Sequence, residues 1–131
     1  MTANSNAIQC RGIRGAITVD ENTEPAMLEA TRELLAQLFS ANAVAAEDLA
    51  AIFFTATPDL NAAFPAKAAR QMGYVQVPLM GSQEMDVPEA PGRCIRVLML
   101  VNTARRLDEL VHVYLRGAVV LRPEYQAEGK P

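Results

Sequence analysis

A chain of 131 residues, half of them hydrophobic, fits one domain with a core of ordinary size. Its 12 basic and 15 acidic residues leave a net charge of −3 without a basic surface, which argues against nucleic-acid binding. One histidine and two cysteines, with no CxxC pair, exclude a multi-histidine metal site and a Cys/His metal set.

The opening MTANSNAIQ has neither an early positive charge nor an apolar run, so no signal peptide is expected, and residues 1–6 read as a loose polar lead-in. From Ala7 to Val19, AIQCRGIRGAITV has the β-branched residues of a strand. Its two glycines, Gly12 and Gly15, predict a bulge or the close approach of another backbone or a ligand. DENTEP then reads as a helix start, with Thr23 as cap and Glu24 and Pro25 in the first turn. Leu28, Thr31, Leu35, Leu38 and Phe39 keep helical spacing to about residue 41, and this amphipathic helix is expected to cover one face of a sheet.

LAAIFFTAT, residues 49–57, is nearly all apolar and predicts a second strand buried on both faces. A loop follows Pro58, then a short helix from about Pro65 that stops at Gly73. YVQVPLM is expected as a third strand, GSQEMDVPEAPG as a loop and CIRVLMLVNT as a fourth strand. LDELVHVYL fits a helix by its Leu107, Leu110, Val111 and Tyr114 and a strand by its alternating VHVYL; a short helix passing into an extended tail is favoured. AVVLRPEY closes the fold, and residues 126–131 are expected to be mobile. The order β-α-β-α-β-β predicts an α/β (α+β) layer with helices on one face of a mixed sheet. The other face then lacks a cover, which predicts an oligomer burying sheet against sheet. The longest apolar run, VLMLV, is far short of a membrane span. Cys10 and Cys94 read as two buried thiols of a reducing cytoplasm, and His112 as a structural or solvated residue.

Arg96 is the residue that this layout does not absorb. A guanidinium is always charged, and an unpaired buried charge costs several kcal/mol. On a regular strand Arg96 shares a face with Leu98 and Leu100, while Ile95, Val97, Met99 and Val101 take the other. Either its stem snorkels to water at an edge or its partner is an anion. RGIRG repeats the question, with Arg11 and Arg14 sent to opposite faces. Glu84 sits in the loop SQEMDV, where a carboxylate is ordinarily solvated. Lys67 and Arg70 in FPAKAAR lie three apart on one helix face, and Tyr114 and Arg122 read by default as a core tyrosine and a tail arginine. No phosphate loop and no nucleophile context is present. An excess of strand arginines with few acids beside them favours an anionic ligand, most simply a di-acid held by guanidinium groups.

RGIRGAITV, TATPDLNAAFPAKAAR, PLMGSQEMDV, CIRVLML and HVYLRGAVVLRP, in that order, resemble the AroH-class chorismate mutases over about residues 8–124. The LMGS segment departs from the family pattern, which often carries polar or thiol residues there. The resemblance implies a homotrimer of pseudo-α/β barrels with active sites between subunits, no metal or organic cofactor, and conversion of chorismate to prephenate on the way to phenylalanine and tyrosine. It also implies that Arg14, Arg96 and Tyr114 contact the carboxylate and ether regions of the substrate, and that Glu84 meets its hydroxyl. Phe64, Ala66, Lys67 and Arg70 would come from the neighbouring subunit's wall or rim, and Leu121 and Arg122 from a tail over the site. Two other readings remain: an imine deaminase-like enzyme on a similar trimeric fold, and a non-catalytic binding module for an aromatic-pathway acid.

Overall fold

The computed structural model describes residues 7–122, so the lead-in 1–6 and the tail 126–131 lie outside the described residues. The elements are β1 (Gln9–Thr18), α1 (Glu24–Asn42), β2 (Leu49–Ala56), α2 (Ala66–Gln71), β3 (Leu79–Gln83), β4 (Cys94–Thr103) and β5 (Val113–Leu115). Short 3-10 turns cover Ala46–Asp48, Leu107–Glu109 and Arg116–Leu121. The expected order therefore holds through β4, and a fifth strand follows it. In the ambiguous LDELVHVYL, LDE forms a 3-10 turn and VYL pairs in parallel with β1.

α1 begins where expected: the Ala26 N–H donates to Thr23 Oγ1 at 3.3 Å, and Pro25 occupies the first turn. Its stripe of Leu28, Thr31, Leu34, Leu35, Leu38 and Phe39 is buried. Past α2, Gly73 takes φ +101°, a conformation that glycine adopts without penalty. The third strand differs from the expected YVQVPLM. Pairing begins at the Pro78 carbonyl, which accepts the Ile52 N–H at 3.0 Å, and continues in parallel through Gln83. Pro78 has no N–H to donate, so it stands at the strand's entry rather than inside it. Residues 74–77 run irregularly before it.

The sheet order is β3-β2-β4-β1-β5. β4 lies antiparallel between β2 and β1, while both edge strands are parallel to their neighbours. One face packs Ile13, Ile17, Ile52, Phe54, Ile95 and Met99 under α1, all essentially inaccessible to water. No bulge occurs in β1; the register irregularity lies in β2 between Leu49 and Ala51. Gly15 instead serves close approach: a Cβ there would stand 2.8 Å from Leu38 Cδ1 and 3.1 Å from Leu34 Cδ1.

The opposite face is open. Phe53 and Thr55 are only half-buried, Leu98 is 40% exposed and Met80 62% exposed. The expectation that β2 is buried on both faces is thus corrected for the single chain, because α1 and α2 lie on one side and the last 3-10 turn covers only the Ala16 and Cys94 end of the other. The two thiols are also unequal: Cys94 is buried, Cys10 is exposed, and both are free.

Candidate active site on the open sheet face

Strand register brings the conspicuous polar residues together. Arg96 of β4 pairs with Thr55 of β2 on one side and with Ala16 of β1 on the other, and Ala16 pairs with Tyr114 of β5. Directly paired residues point to the same face. Thr55, Arg96 and Tyr114 therefore form one row across the open face. Arg14 pairs with Leu98, which pairs with Phe53, and these make the next row. A cleft of about 370 Å³ opens over these two rows, lined by Arg14, Phe53, Thr55, Glu84, Arg96, Leu98 and Tyr114.

Glu84 is not the solvated loop residue expected. Its N–H donates to the Ala56 carbonyl at 2.9 Å, which extends the pairing of β3 by one step. Its side chain is 25% exposed and accepts the Thr55 hydroxyl at Oε1, 2.5 Å away. The same Oε1 lies 3.6 Å from Arg96 Nε. That distance makes an ion pair but is too long for a hydrogen bond. Arg96 Nε is buried and has no hydrogen-bond partner among the described residues, while the side chain as a whole is 43% exposed. A cation is thus presented to the cleft beside an apolar floor of Phe53 and Leu98.

The surroundings fix this arrangement. The Arg14 N–H donates to His112 Nδ1 at 3.0 Å, so the lone histidine is structural and ties β1 to the approach of β5. Asn42, at the end of α1, clamps Val111: its Nδ2 donates to the Val111 carbonyl at 2.9 Å, and its Oδ1 accepts the Val111 N–H at 2.8 Å. Beside Arg96, burial pushes the Cys94 thiol up, with the guanidinium pulling the other way. Two residues before Arg96, the Cys94 N–H donates to Thr57 Oγ1 at 2.9 Å, and Thr57 in turn donates to Asp59 at 2.6 Å. That hydroxyl, together with the Arg93 backbone N–H, holds the Asp59 carboxyl below the usual carboxylate range. Arg11, on the other face, donates from Nε to the Arg105 carbonyl at 3.4 Å.

The remaining expected site residues lie elsewhere in this chain. Phe64, 77% exposed, and Lys67 line a separate opening of about 600 Å³ at the β2–α2 connection, with Phe54, Ala56 and Pro65. Lys67 Nζ pairs with Glu24 Oε2 at 2.8 Å. Ala66 is buried in α2, and Arg70 is exposed on that helix without lining either opening. Leu121 ends the last 3-10 turn and packs with Ala16, Cys94 and Ala118, and Arg122 follows as its cap. One contributor escaped the sequence reading: Thr55, a lone hydroxyl inside FFTA whose parity sets it on the face opposite Ile52 and Phe54, and which register then brings beside Arg96.

Among the described residues no helix is long and apolar enough to cross a membrane, and no cluster of three or more His, Cys, Asp or Glu side chains is placed to hold a metal. Fold and site together define a small mixed α+β domain whose sheet presents a guanidinium and a carboxylate to a cleft on its less covered face. The chain belongs to the chorismate mutase type I family, a family of isomerases whose model matches residues 10–125. It is 53% identical over 118 residues to the chorismate mutase AroH of Thermus thermophilus, covering 89% of this chain and 97% of that protein. It is 47% identical over 115 residues to the AroH of Bacillus subtilis, covering 87% and 91%. The structure of a chorismate mutase from Clostridium thermocellum matches with a TM-score of 0.83 at 45% identity, over 84% of this chain and 98% of that one.

Proposed function

We propose that this chain converts chorismate to prephenate, in the cytoplasm, as a homotrimer with its active sites between subunits. Family membership supports the reaction, and one observation carries its assignment to this site: a buried Arg96 Nε with no hydrogen-bond partner among the described residues, on an apolar sheet face beside Glu84. Chorismate is a dicarboxylate with a vinyl ether. The rearrangement breaks a C–O bond and makes a C–C bond within one molecule, so it needs neither a general base nor a nucleophile.

Two tasks are left to the protein. The enolpyruvyl side chain must be held over the ring in its compact conformer, and the negative charge growing on the ether oxygen must be stabilised. Arg14 and Tyr114 hold the carboxylate and ether regions, Glu84 takes the substrate hydroxyl, and Arg96 meets the ether oxygen. Phe64, Ala66, Lys67 and Arg70 come from the adjoining subunit, and Leu121 and Arg122 border the site. Two features of the single chain support a shared site: the open face leaves Met80 and Leu98 to water, and Phe64 and Lys67 line an opening apart from the Arg96 cleft.

The test is to add purified protein to chorismate in the presence of a chelator and follow chorismate loss with prephenate formation. Saturable conversion is expected; no conversion by a folded, oligomeric sample would overturn the proposal in favour of a binding module. Mixing Arg96→Ala chains with Arg70→Ala chains tests the shared site. Recovered turnover in verified mixed trimers is expected, and none would contradict it.

A further inference from the structure

We propose that Thr55 is a positioning residue that holds the Glu84 carboxylate off the Arg96 guanidinium, so that both groups stay available to the substrate; this rests on the reaction proposed above. Arg96 Nε and Glu84 Oε1 stand 3.6 Å apart in a half-buried cleft. Closing that gap by well under 1 Å would give a charge-assisted hydrogen bond, stronger than a neutral one. It would also satisfy a buried donor that has no partner among the described residues. Something must outweigh that gain.

The Thr55 hydroxyl is placed to do so. It donates to the same Oε1 at 2.5 Å, a separation typical of a hydroxyl bound to an ionised carboxylate. Thr55 and Arg96 are register partners on β2 and β4, so the two donors approach Oε1 from adjacent strands. The backbone of Glu84 is fixed by its bond to Ala56, so only side-chain rotation, which the short bond to Thr55 opposes, could carry Oε1 onto Arg96. Threonine suits the task because its β-branched side chain is stiff at χ1, which fixes the direction of the hydroxyl. Were the pair to collapse, the guanidinium would have its best donor and part of its charge engaged by Glu84. Less would remain for an ether oxygen, and the carboxylate would turn away from a substrate hydroxyl.

Thr55→Val removes the hydroxyl while keeping the branched shape. The expected result is a fall in kcat of about tenfold, equivalent to 1.4 kcal/mol at the transition state, with KM changed by no more than about threefold. Thr55→Ser retains the donor and is expected to restore most of kcat. In a Glu84→Gln background, itself slowed, Thr55→Val is expected to cause no further loss, because a neutral amide is not drawn onto Arg96. A crystal structure of Thr55→Val, or of Thr55→Ala should the valine variant not fold, is expected to show Glu84 hydrogen-bonded to Arg96 Nε at about 2.9 Å. An unchanged kcat in Thr55→Val, an equal loss in Thr55→Ser, an undiminished loss in the Glu84→Gln background, or a retained 3.6 Å gap in the variant crystal would each overturn the proposal. Should the wild-type protein form no prephenate, the proposed reaction falls, and the crystallographic arm alone decides whether Thr55 restrains Glu84.

Discussion

Replacing Asn42 by aspartate tests how the edge of the sheet that carries Tyr114 is held. Asn42 is 4% exposed and joins α1 to the segment before β5. Its amide makes three bonds to backbone: Nδ2 to the Leu38 carbonyl at 3.0 Å and to the Val111 carbonyl at 2.9 Å, and Oδ1 from the Val111 N–H at 2.8 Å. Asn42→Ala deletes all three. At about 1 kcal/mol net per bond, and with Val111 45% exposed so that water replaces part of the loss, the cost is about 2 kcal/mol and nearly independent of pH. Asn42→Asp keeps the shape and the acceptor but points a second oxygen at two carbonyls. It also sets a negative charge at the C-terminal end of α1, where the helix dipole opposes it. A protonated carboxyl relieves both problems by donating, so the folded-state pKa of the new residue is raised above its unfolded value of about 3.9.

The sign follows from linkage. Below the unfolded pKa the aspartate variant approaches the wild-type protein. Above it, the stability gap widens by about 1.4 kcal/mol per pH unit until the folded pKa is reached, and then stays constant. Urea unfolding followed by far-ultraviolet circular dichroism, at one protein concentration and several pH values from 3 to 8, measures the gap for both variants (roughly 3 to 8 brackets the carboxyl range). A gap for Asn42→Asp that stays flat across this range would mean that water reaches the carboxylate, and the account of Asn42 as a buried clamp would fail.

Gly15→Ala is expected to destabilise the protein by about 1–3 kcal/mol through overpacking, since its Cβ would meet Leu38 Cδ1 at 2.8 Å; a cost near zero in denaturant unfolding would show that α1 shifts freely. Asp59 has its folded pKa lowered, so its contribution is present above the unfolded value of about 3.9 and lost as pH falls through the folded one. Asp59→Asn is therefore expected to flatten the acid limb of the stability profile, and an unchanged limb would remove Asp59 from it.

Much of the fold was legible because hydrophobic periodicity dominates its long elements. The stripe from Leu28 to Phe39 became the buried face of α1, and the parity of CIRVLMLVNT placed Arg96 on the face opposite Ile95, Val97 and Met99. The short elements were less clear. VQV alternates like a strand, yet β3 begins at Leu79, because pairing with β2 starts at the Pro78 carbonyl, a long-range fact that local pattern does not carry. That shift is also why Glu84 read as a loop residue and is instead held at the end of a strand. β5 is only three residues long and depends on β1 and on the Asn42 clamp rather than on its own propensity. Arg14, Glu84, Arg96 and Tyr114 were nameable from the sequence, and register is what gathers them in one cleft. Arg96 differs from an ordinary edge arginine through a buried donor with no hydrogen-bond partner among the described residues, and no spacing rule reveals that.

The most direct test of the account replaces Arg96 with a neutral isostere, citrulline, and measures kcat and KM for chorismate. Loss of charge opposite a developing anion is expected to lower kcat by about 10²–10³-fold with a much smaller change in KM. A kcat like that of the wild-type protein, or a loss confined to KM, would contradict the claim that Arg96 stabilises the transition state.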